Sequence, residues 1–331
     1  MNFPELFASF HTKKVAIIGD VMLDTYWWGQ VDRISPEAPV PVVALQKKEL
    51  RVGGAANVAL NTVSMGADTT LLSVIGNDAD GKELKQLLTN NGIHTQYILQ
   101  SDKRITTNKM RVMSRNQQMM RLDAEIITDI DAELEDQLLG QVRKYLVTEK
   151  PDVVIFEDYN KGVLTKRIID ELIAICKESE IVTSVDPKKK NFLSFQGVTL
   201  FKPNLKEIKE GLNLLTDAID LSALQEMHAT LQQHLHHEIS FITLSEKGVF
   251  YQHGNAVKLI PTHIRNIADV SGAGDTVIAV ASLVYACTRN MLLAAEMANI
   301  AGGLVCEEVG TAAINRDRLL QECELLLQDH A

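Results

Sequence analysis

The sequence is short of basic residues and of cysteine, and each shortage excludes a class of function. Among its 331 residues, 33 lysines and arginines stand against 43 aspartates and glutamates, for a formal net charge of −10. A protein this acidic does not bind nucleic acid or anionic membranes through charge alone. The four cysteines show no C-x-x-C spacing. Three of them lie at apolar positions of predicted helices, which favours buried free thiols over disulfides or metal ligands.

Long apolar stretches are missing as well. No uninterrupted run approaches the ~20 residues that a membrane helix needs, and no apolar segment with a small-residue cleavage site opens the chain. We therefore expect a cytoplasmic protein with no membrane partner. Linkers, low-complexity segments and internal repeats are also absent, and 46% of the residues are hydrophobic, so we expect a single domain over residues 1–331.

The order of predicted elements indicates the fold class. A first buried strand ends at Asp20, strands and helices alternate regularly from about residue 131, and helices at about 273–288, 291–308 and 316–328 end the chain. Such alternation is typical of an α/β fold with a mainly parallel central sheet flanked by helices. Two blocks, at about 21–51 and 97–124, break it, because they mix β-branched and basic residues with proline and tryptophan. We expect them to form a small β lid.

Polar residues follow the predicted strands where parallel sheets bind their ligands, which is outside the carboxyl ends of the strands. Taken singly, each is equally well explained as a turn or cap former. Together they combine carboxylates, amides and lysines, as a phosphate and metal site requires. The series consists of Asp20, Gly53, Gly54, Asn57, Asp158, Lys161, Asp186, Lys188, Asn204, Glu207, Thr243, Ser245, Asp269 and Asp275.

The stretch 269–276 contains Gly-Ala-Gly-Asp and precedes an apolar run from Val277 to Cys287. A glycine-rich turn that opens a helix offers unpaired N–H groups and the positive end of the helix dipole, which suits a phosphate or a developing anion. Asp275 lies where a carboxylate either caps the helix or acts as a base. The motif by itself leaves both roles open.

Two nucleotide-binding signatures are close but incomplete. Residues 76–83 nearly spell a P-loop, yet Glu83 stands where a magnesium-binding hydroxyl is required. Residues 272–277 begin like a dinucleotide fingerprint, but they lack its third small residue and lie far from the first strand. The sequence therefore argues against a P-loop enzyme and against a nicotinamide enzyme.

Three motifs, in the same order along the chain, resemble those of the ribokinase family of sugar kinases. They are Gly53-Gly54-x-x-Asn57, Asn204-x-x-Glu207 and Asp269-x-x-Gly272-Ala273-Gly274-Asp275, and the likeness covers essentially the whole chain. The resemblance implies a ribokinase-like fold and ATP as co-substrate. It further implies Mg²⁺ as cofactor, with K⁺ at Asp269 as an optional addition.

The same resemblance assigns a role to each motif. Asp275 is the implied general base for a sugar hydroxyl, and Gly272, Ala273 and Gly274 are the implied anion hole for the transferring phosphoryl group. Ser245 replaces a family glycine, which puts the adenine-side contacts in question. Asn204 and Glu207 are the implied contacts of the nucleotide phosphates and, through water, of magnesium. The implied nucleotide contacts are Thr243, Ser245, Gly248 and Asn299. The implied contacts of the sugar hydroxyls are Asp20, Gly53, Gly54 and Asn57.

Residues 33–43, 114–123, 158–164 and 185–188 are similar to segments of the bacterial heptose-7-phosphate kinases. That subfamily uses ATP and magnesium to phosphorylate D-glycero-β-D-manno-heptose 7-phosphate at the anomeric (C1) oxygen, towards the ADP-heptose of lipopolysaccharide. Asn160 and Lys189 replace glycines usual there, which weakens the likeness for the sugar but not for the kinase chemistry. The likeness implies that the substrate contacts include Asp158 and a set of basic residues, which would otherwise form a solvated face: Lys109, Arg111, Arg115, Lys161 and Lys188.

Many heptose kinases are fused to a C-terminal nucleotidyltransferase. No His-x-Gly-His segment occurs here, so we expect the kinase alone. Trp27, Trp28 and the lid valines are too apolar for a small free sheet, which predicts a homodimer through the lids, or else a lid that packs onto its own domain. The open alternatives are a kinase for another sugar, sugar phosphate or nucleoside, and a catalytically inactive regulator that binds sugar or nucleotide.

Overall fold

Two β-sheets of different size organise the chain. A computed structural model describes residues 2–115, 117–215 and 219–327. Within these residues the strands are β1 (Lys14–Gly19), β2 (Val21–Ile34), β3 (Pro41–Gly54), β4 (Asp68–Gly76), β5 (His94–Ser101), β6 (Asn108–Ser114), β7 (Gln117–Ala124), β8 (Val153–Glu157), β9 (Val182–Asp186), β10 (Leu200–Phe201), β11 (Ile239–Thr243), β12 (Val249–His253) and β13 (Ala256–Ile260).

Helices cover the larger sheet. Those in the described ranges are α1 (Phe3–Ser9), α2 (Ala55–Ser64), α3 (Ala79–Asn90), α4 (Ala132–Glu149), α5 (Lys166–Glu178), α6 (Leu205–Gly211), α7 (Leu221–Leu235), α8 (Ala273–Thr288), α9 (Met291–Val305) and α10 (Arg316–Leu326). None of these combines the length and the apolar content that a membrane crossing requires.

The larger sheet has nine strands in the order β13-β12-β11-β10-β9-β8-β1-β4-β5. Pairing is parallel from β11 through to β5, and β12 and β13 add an antiparallel edge. Successive residues of β1 enter different cores: Val15 and Ile17 pack with α2, α8 and α9, whereas Ala16 and Ile18 pack with α4, α5 and α7. This confirms the predicted α/β fold, in which a mainly parallel sheet is buried on both faces.

The smaller sheet, which we call the lid sheet, has the strand order β3-β2-β6-β7. Strand β2 pairs antiparallel with β3 and parallel with β6, and β7 pairs antiparallel with β6. The chain passes from β1 into β2 through the single residue Asp20, so the lid sheet rises directly from the carboxyl edge of the larger sheet. This connection places the lid beside the expected ligand site.

Some predicted boundaries were wrong. Residues 97–101 were expected in the lid, but they belong to β5, which pairs with β4 at the edge of the larger sheet. The second lid segment therefore begins at Asn108. Helix α9 ends at Val305 rather than at 308, and α1 was not predicted. Gln328 of the predicted last helix and Asn116 of the lid segment 114–123 lie outside the described residues.

The register of the lid sheet gives it two different faces. Side chains that pair directly across strands share a face, and successive residues alternate between faces. One face carries a row formed by Asp24, Lys109, Arg51 and Asp123. Two residues away along the strands, the neighbouring row on the same face consists of Tyr26, Arg111, Glu49 and Arg121. The opposite face carries Trp27, Val112 and Met120 in one row and Met110 and Leu122 in a neighbouring row. The lid sheet is thus charged on one face and apolar on the other.

A buried pair of histidines lies far from the carboxyl edge, between α7 and β11. The Ser240 hydroxyl is 2.8 Å from His228 Nδ1 and 2.6 Å from His237 Nε2. Burial, with a smaller contribution from His228, lowers the pKa of His237 to about 3. The folded protein therefore holds His237 neutral across the physiological range.

We predict that this histidine makes the fold acid-sensitive. An unfolded histidine binds a proton near its ordinary pKa of about 6.5, whereas His237 in the folded protein binds one only near its lowered pKa of about 3. The unfolded state thus binds more protons over this range, so stability is present above pH ~6.5 and is lost as the pH falls. The free energy of unfolding should drop by about 2 kcal/mol between pH ~7.5 and ~5 from His237 alone.

Urea denaturation at a series of pH values measures this slope. His237→Gln should flatten it, whereas His234→Gln, at an exposed position near the end of α7, should leave it as in the parent protein. An identical slope in the parent protein and in His237→Gln would contradict the assignment.

Candidate active site

The carboxyl edge of the larger sheet is centred on the first turn of α8. Gly272 precedes the helix with φ of 80°, a left-handed conformation that glycine adopts without strain. A Cβ at Gly272 would lie only 2.8 Å from Asn57 Nδ2. The N–H of Ala273 donates to Val270 O at 3.3 Å, and the N–H of Thr276 donates to Gly272 O. Glycine at 272 therefore permits both the turn and the close approach of α2.

Asp275 lies in this first turn and is 4% exposed. Its Oδ1 accepts a hydrogen bond from the Tyr159 hydroxyl (2.7 Å), and its Oδ2 accepts one from Asn57 Nδ2 (2.8 Å). Burial raises the pKa of Asp275 to about 6, against the opposing effect of the two hydrogen bonds and of Lys202. The carboxylate is thus ionised at neutral pH and close enough to neutrality to exchange a proton.

Two more buried carboxylates lie beside Asp275. One oxygen of each of Glu157, Asp186 and Asp275 falls within 4.8 Å of the others. Burial raises the pKa of Glu157 well above its usual range, and the neighbouring Asp186 and Asp275 add to the effect. Neither Glu157 oxygen has a hydrogen-bond partner among the described residues. Glu157 is therefore held as a neutral acid, which limits the negative charge next to Asp275.

Two lysines neutralise Asp186. Lys202 Nζ lies 2.5 Å from Asp186 Oδ2 and 3.4 Å from Gly274 O. Lys188 Nζ lies 3.4 Å from Asp186 Oδ1 and also contacts Glu207. Burial alone would raise the pKa of Asp186, but the two ammonium groups hold it below its ordinary value. Asp186 is therefore a fixed anion that positions Lys202 against the α8 turn.

Asn204 and Glu207 open α6 as a capping box. Asn204 Oδ1 accepts from the Glu207 N–H, and Glu207 Oε2 accepts from the Asn204 N–H, both at 2.8 Å. The other Glu207 oxygen contacts Lys188, which also faces Asp186. These two carboxylates converge on one cation, an oxygen donor set that fits Mg²⁺. The predicted magnesium role of Glu207 fits this geometry, with Asp186 as the partner that the sequence reading did not assign.

An elongated cleft of about 970 Å³ runs from Asp275 along the carboxyl edge. Ser245, which replaces a family glycine, lies in its wall with φ of 56°, a left-handed conformation that favours glycine, and Gly248 has φ of 94°. Asn299 Nδ2 donates to Pro261 O at 2.8 Å and thereby fixes one rim. The predicted residues that line the cleft are Lys188, Asn204, Thr243, Ser245, Gly248, Gly272, Ala273, Gly274, Asp275 and Asn299.

The charged face of the lid sheet lies beside Tyr159, whose hydroxyl donates to Asp275. Arg111 Nη1 lies 2.5 Å from Asp24 Oδ1, and Lys109 Nζ lies 5.6 Å above the centre of the Tyr159 ring. Gly53 is needed here because a Cβ would overlap the Asp24 carboxylate. Lys109 and Arg111 were predicted as substrate contacts, and both lie near the site.

Asp20 and Asp158, both predicted as sugar contacts, accept hydrogen bonds from the chain itself. Asp20 is buried and accepts three hydrogen bonds from the backbone N–H groups of Tyr159, Lys161 and Val163, at 2.9, 3.0 and 3.0 Å. Asp158 is also buried and accepts from the Asn160 N–H and from Asn191 Nδ2. Both carboxylates therefore anchor residues 158–163, which we call the Tyr159 loop.

Two further basic residues were predicted as substrate contacts. Lys161 lies in the Tyr159 loop, and Arg115 lies in the turn between β6 and β7 of the lid sheet. Lys161 Nζ lies 2.7 Å from Glu125 Oε2, which neutralises its charge. Arg115 is exposed in the turn after β6, with φ of 49°. It lies seven residues beyond Asn108 at the base of the strand, a span of roughly 20 Å. The structure does not bring Arg115 to Asp275.

Asp269 does not fit the predicted potassium site. Its Oδ1 accepts from the N–H and the hydroxyl of Ser271, and its Oδ2 accepts from the Gly310 N–H at 2.9 Å. Arg51 Nη1 already donates to the carbonyls of Val309 and Thr311 on either side of Gly310. The carboxylate thus holds the turn, and a guanidinium occupies the neighbouring carbonyl oxygens.

Sequence reasoning missed Asp24, Glu157, Tyr159 and Lys202. Two of these had a visible signal: Glu157 ends an otherwise apolar strand and Lys202 directly follows one. A charged residue in that position must be paired or neutralised when the strand is buried. Asp24 and Tyr159 carried no comparable signal, because only the packing of lid and loop brings them to the site.

Comparison with known proteins identifies related chains. The family model described as pfkB family carbohydrate kinase matches residues 12–318. Proteins named Bifunctional protein HldE are similar: that of Geobacter metallireducens is 37% identical over 318 residues, which are 95% of this chain and 64% of that protein. That of Magnetococcus marinus is 39% identical over 313 residues, 94% of this chain and 64% of that protein. The chain thus spans about 64% of the length of these relatives.

Solved structures with the same fold are more distant in sequence. Escherichia coli phosphofructokinase-2 in complex with potassium has a TM-score of 0.78 at 17% identity, over 96% of this chain and 99% of that one. Arabidopsis thaliana ribokinase complexed with ribose and ATP has a TM-score of 0.72 at 15% identity, over 93% of this chain and 99% of that one. At these identities the likeness establishes the ribokinase-like fold.

Proposed function

The chain belongs to the pfkB family of carbohydrate kinases, phosphotransferases with a sugar hydroxyl as acceptor, and on that premise we propose its substrate and mechanism. The proposed reaction is ATP-dependent phosphorylation of D-glycero-β-D-manno-heptose 7-phosphate at its anomeric C1 hydroxyl, which yields the 1,7-bisphosphate. The HldE relatives and the family match support a sugar kinase of heptose synthesis. The observation that carries the mechanism is Asp275, a buried carboxylate at a helix N-terminus between the lid and the cleft.

Asp275 is the proposed general base. It takes the proton of the C1 hydroxyl as that oxygen attacks the γ-phosphorus of ATP, and ADP leaves. The N–H groups at the start of α8 face the developing negative charge together with the positive end of the helix dipole. Lys202, held 3.4 Å from Gly274 O by Asp186, adds a fixed positive charge beside this turn. The reaction then needs little more than positioning and charge neutralisation.

The cleft is the proposed ATP site. Its walls combine Ser245 and Gly248, in left-handed conformations, with apolar side chains of the segment 262–270. Asp186 and Glu207 are the proposed ligands of Mg²⁺, in the place where Lys188 now joins them. The ion would neutralise charge on the nucleotide phosphates.

A phosphate on the sugar is the proposed reason for basic residues in an acidic protein. Lys109 is half-buried, and although burial lowers its pKa, Asp24 opposes that effect. Arg111 lies on the same lid face and pairs with Asp24. A phosphosugar bound under this face would place its phosphate against Lys109 and Arg111 and its reacting hydroxyl towards Asp275.

A coupled ADP-release assay over a panel of acceptors tests the substrate. We expect heptose 7-phosphate to give a kcat/KM at least about 10²-fold above that of the unphosphorylated heptose, because charge-assisted contacts to a phosphate contribute about 3 kcal/mol in total. Lys109→Met should raise KM for the phosphosugar without raising KM for ATP. The matched control is Lys48→Met, which removes an ammonium lying 5.6 Å from the Trp27 ring, on the opposite lid face. Preference for an unphosphorylated sugar or a nucleoside would refute the proposed substrate.

Asp275→Asn tests the base. We expect kcat to fall by roughly 10²-fold or more with nucleotide affinity nearly unchanged. In the parent enzyme kcat/KM should fall as the pH drops below about 6, because protonation of Asp275, whose pKa burial raises to about 6, removes the proton acceptor. Steady-state kinetics from pH ~5 to ~8 measures both effects. Binding of ATP and phosphosugar without turnover in the parent protein would indicate an inactive regulator.

A homodimer through the apolar lid face is the proposed assembly. Met120 and Leu122 on that face are 56% and 50% exposed, so packing onto their own domain does not cover them. Trp27 and Val112 extend the same face. Apolar patches of this kind mark interaction surfaces, and the two-fold pairing of identical patches is the commonest closed assembly.

Analytical ultracentrifugation tests this assembly. We expect a dimer for the parent protein and a shift towards monomer for Met120→Asp, since a buried unpaired charge opposes association. Leu325→Asp, at a 67% exposed position of α10, is the control and should sediment like the parent protein. A monomeric parent protein would rule the lid interface out.

A further inference from the structure

The Tyr159 hydroxyl is hydrogen-bonded to the proposed base, Asp275. It donates to Asp275 Oδ1 at 2.7 Å while Asn57 holds Oδ2 at 2.8 Å, so each carboxylate oxygen already accepts a hydrogen bond. The residue as a whole is half-buried in the wall of the cleft, but its hydroxyl lies inside the protein. Burial and the nearby Asp275 carboxylate raise the pKa of Tyr159 well above its ordinary value, so the phenol keeps its proton and remains a donor.

Any acceptor hydroxyl must reach the same carboxylate. Asn57 belongs to α2, packed in the core, and its amide is fixed by that helix. Tyr159 instead belongs to a loop and lines the cleft, so it is the partner that an acceptor hydroxyl entering from the cleft can displace. We propose that the Tyr159 hydroxyl stands where the acceptor hydroxyl binds during transfer, and that it thereby keeps water from the base and suppresses ATP hydrolysis.

The suppressed side reaction has a simple balance. A water oxygen would bond to the γ-phosphorus of ATP while the bond from that phosphorus to the β–γ bridging oxygen breaks. Asp275 would take one water proton, and ADP and inorganic phosphate would leave. This reaction needs the same base as sugar phosphorylation, so a phenol that fills the base's acceptor position blocks water as long as the sugar is absent.

The surroundings of Tyr159 couple its release to both substrates. Its backbone N–H is fixed to Asp20 at 2.9 Å, so its displacement from Asp275 requires a rotation of the side chain and no movement of the backbone. The ring lies between Lys109 Nζ at 5.6 Å and Lys188 Nζ at 5.3 Å. The first is the proposed contact of the sugar phosphate, and the second borders the proposed nucleotide site. When phosphates draw these ammonium groups from the ring, the cation–π contacts that hold it are lost.

This inference rests on the proposed role of Asp275 as the base. Tyr159→Phe removes the hydroxyl and keeps the ring. We expect the ratio of ATP hydrolysis without sugar to sugar phosphorylation to rise by about tenfold or more, since a positioned base accelerates proton transfer by roughly 10²–10⁴-fold. The measurement is phosphate release from Mg-ATP, followed by ADP release with phosphosugar. Tyr97→Phe is the matched control, because that ring packs against Tyr145 at 5.2 Å, away from the cleft.

A second measurement uses the unaltered enzyme. The 1-deoxy analogue of the heptose phosphate carries the phosphate but no acceptor hydroxyl, so it should draw Lys109 away and raise ATP hydrolysis by about tenfold on the same reasoning. Hydrolysis left unchanged by Tyr159→Phe, or by the analogue, would overturn the inference. So would phosphate found on Tyr159 by mass spectrometry after incubation with ATP, because the phenol would then be an acceptor itself.

Asp275→Asn separates failure of this inference from failure of the proposed function. If Asp275→Asn abolishes sugar phosphorylation but Tyr159→Phe hydrolyses ATP at the parent rate, only the role of Tyr159 is wrong. If Asp275→Asn keeps full activity, the base assignment is wrong and the role of Tyr159 is overturned with it. The double variant should lose the added hydrolysis of Tyr159→Phe.

Discussion

The site depends on one constraint, which is the burial of a carboxylate at the start of a helix. Asp275 is 4% exposed and must be satisfied by groups from other parts of the chain. Asn57 from α2 and Tyr159 from its loop donate hydrogen bonds, and Lys202 from the end of β10 provides charge. Removal of any one partner leaves the carboxylate under-compensated. The same burial raises the pKa of Asp275 towards neutrality. Burial therefore makes the surrounding hydrogen bonds necessary and also makes the carboxylate basic enough to accept a proton.

Several acidic residues at the sheet edge support the Asp275 carboxylate indirectly, by holding the groups around it. Asp20 and Asp158 hold the Tyr159 loop through backbone N–H groups, and Asp269 holds the turn before Gly272. Asp186 fixes Lys202, and Glu157 avoids adding charge by remaining neutral. Most carboxylates at the carboxyl edge therefore position a backbone segment or a lysine, and few of them remain to contact ligands.

The alternation of the lid strands separates the proposed phosphate contacts from the proposed dimer face. Because successive residues point to opposite faces, β2 and β6 present Asp24 and Arg111 towards the site and Trp27 and Val112 away from it. A partner on the outer face would restrain the sheet that carries the proposed phosphate contacts. If both proposals hold, this shared sheet links oligomeric state to substrate binding.

The α/β fold, the position of the Gly-Ala-Gly-Asp turn and ten of the residues that line the cleft were predicted from the sequence and its family resemblance. Local patterns determine these features: strand and helix periodicity, glycine at turns, and polar residues at strand ends. Only the tertiary structure decided which polar residues line the cleft and which hold other parts of the chain. Asp20 looks in the sequence like a sugar contact, yet the folded loop takes up its oxygens. Tyr159 reaches Asp275, and Asp24 reaches Arg111, through contacts between segments more than 80 residues apart. Hydrogen-bonding partners at such separation are chosen by packing, which no local pattern encodes.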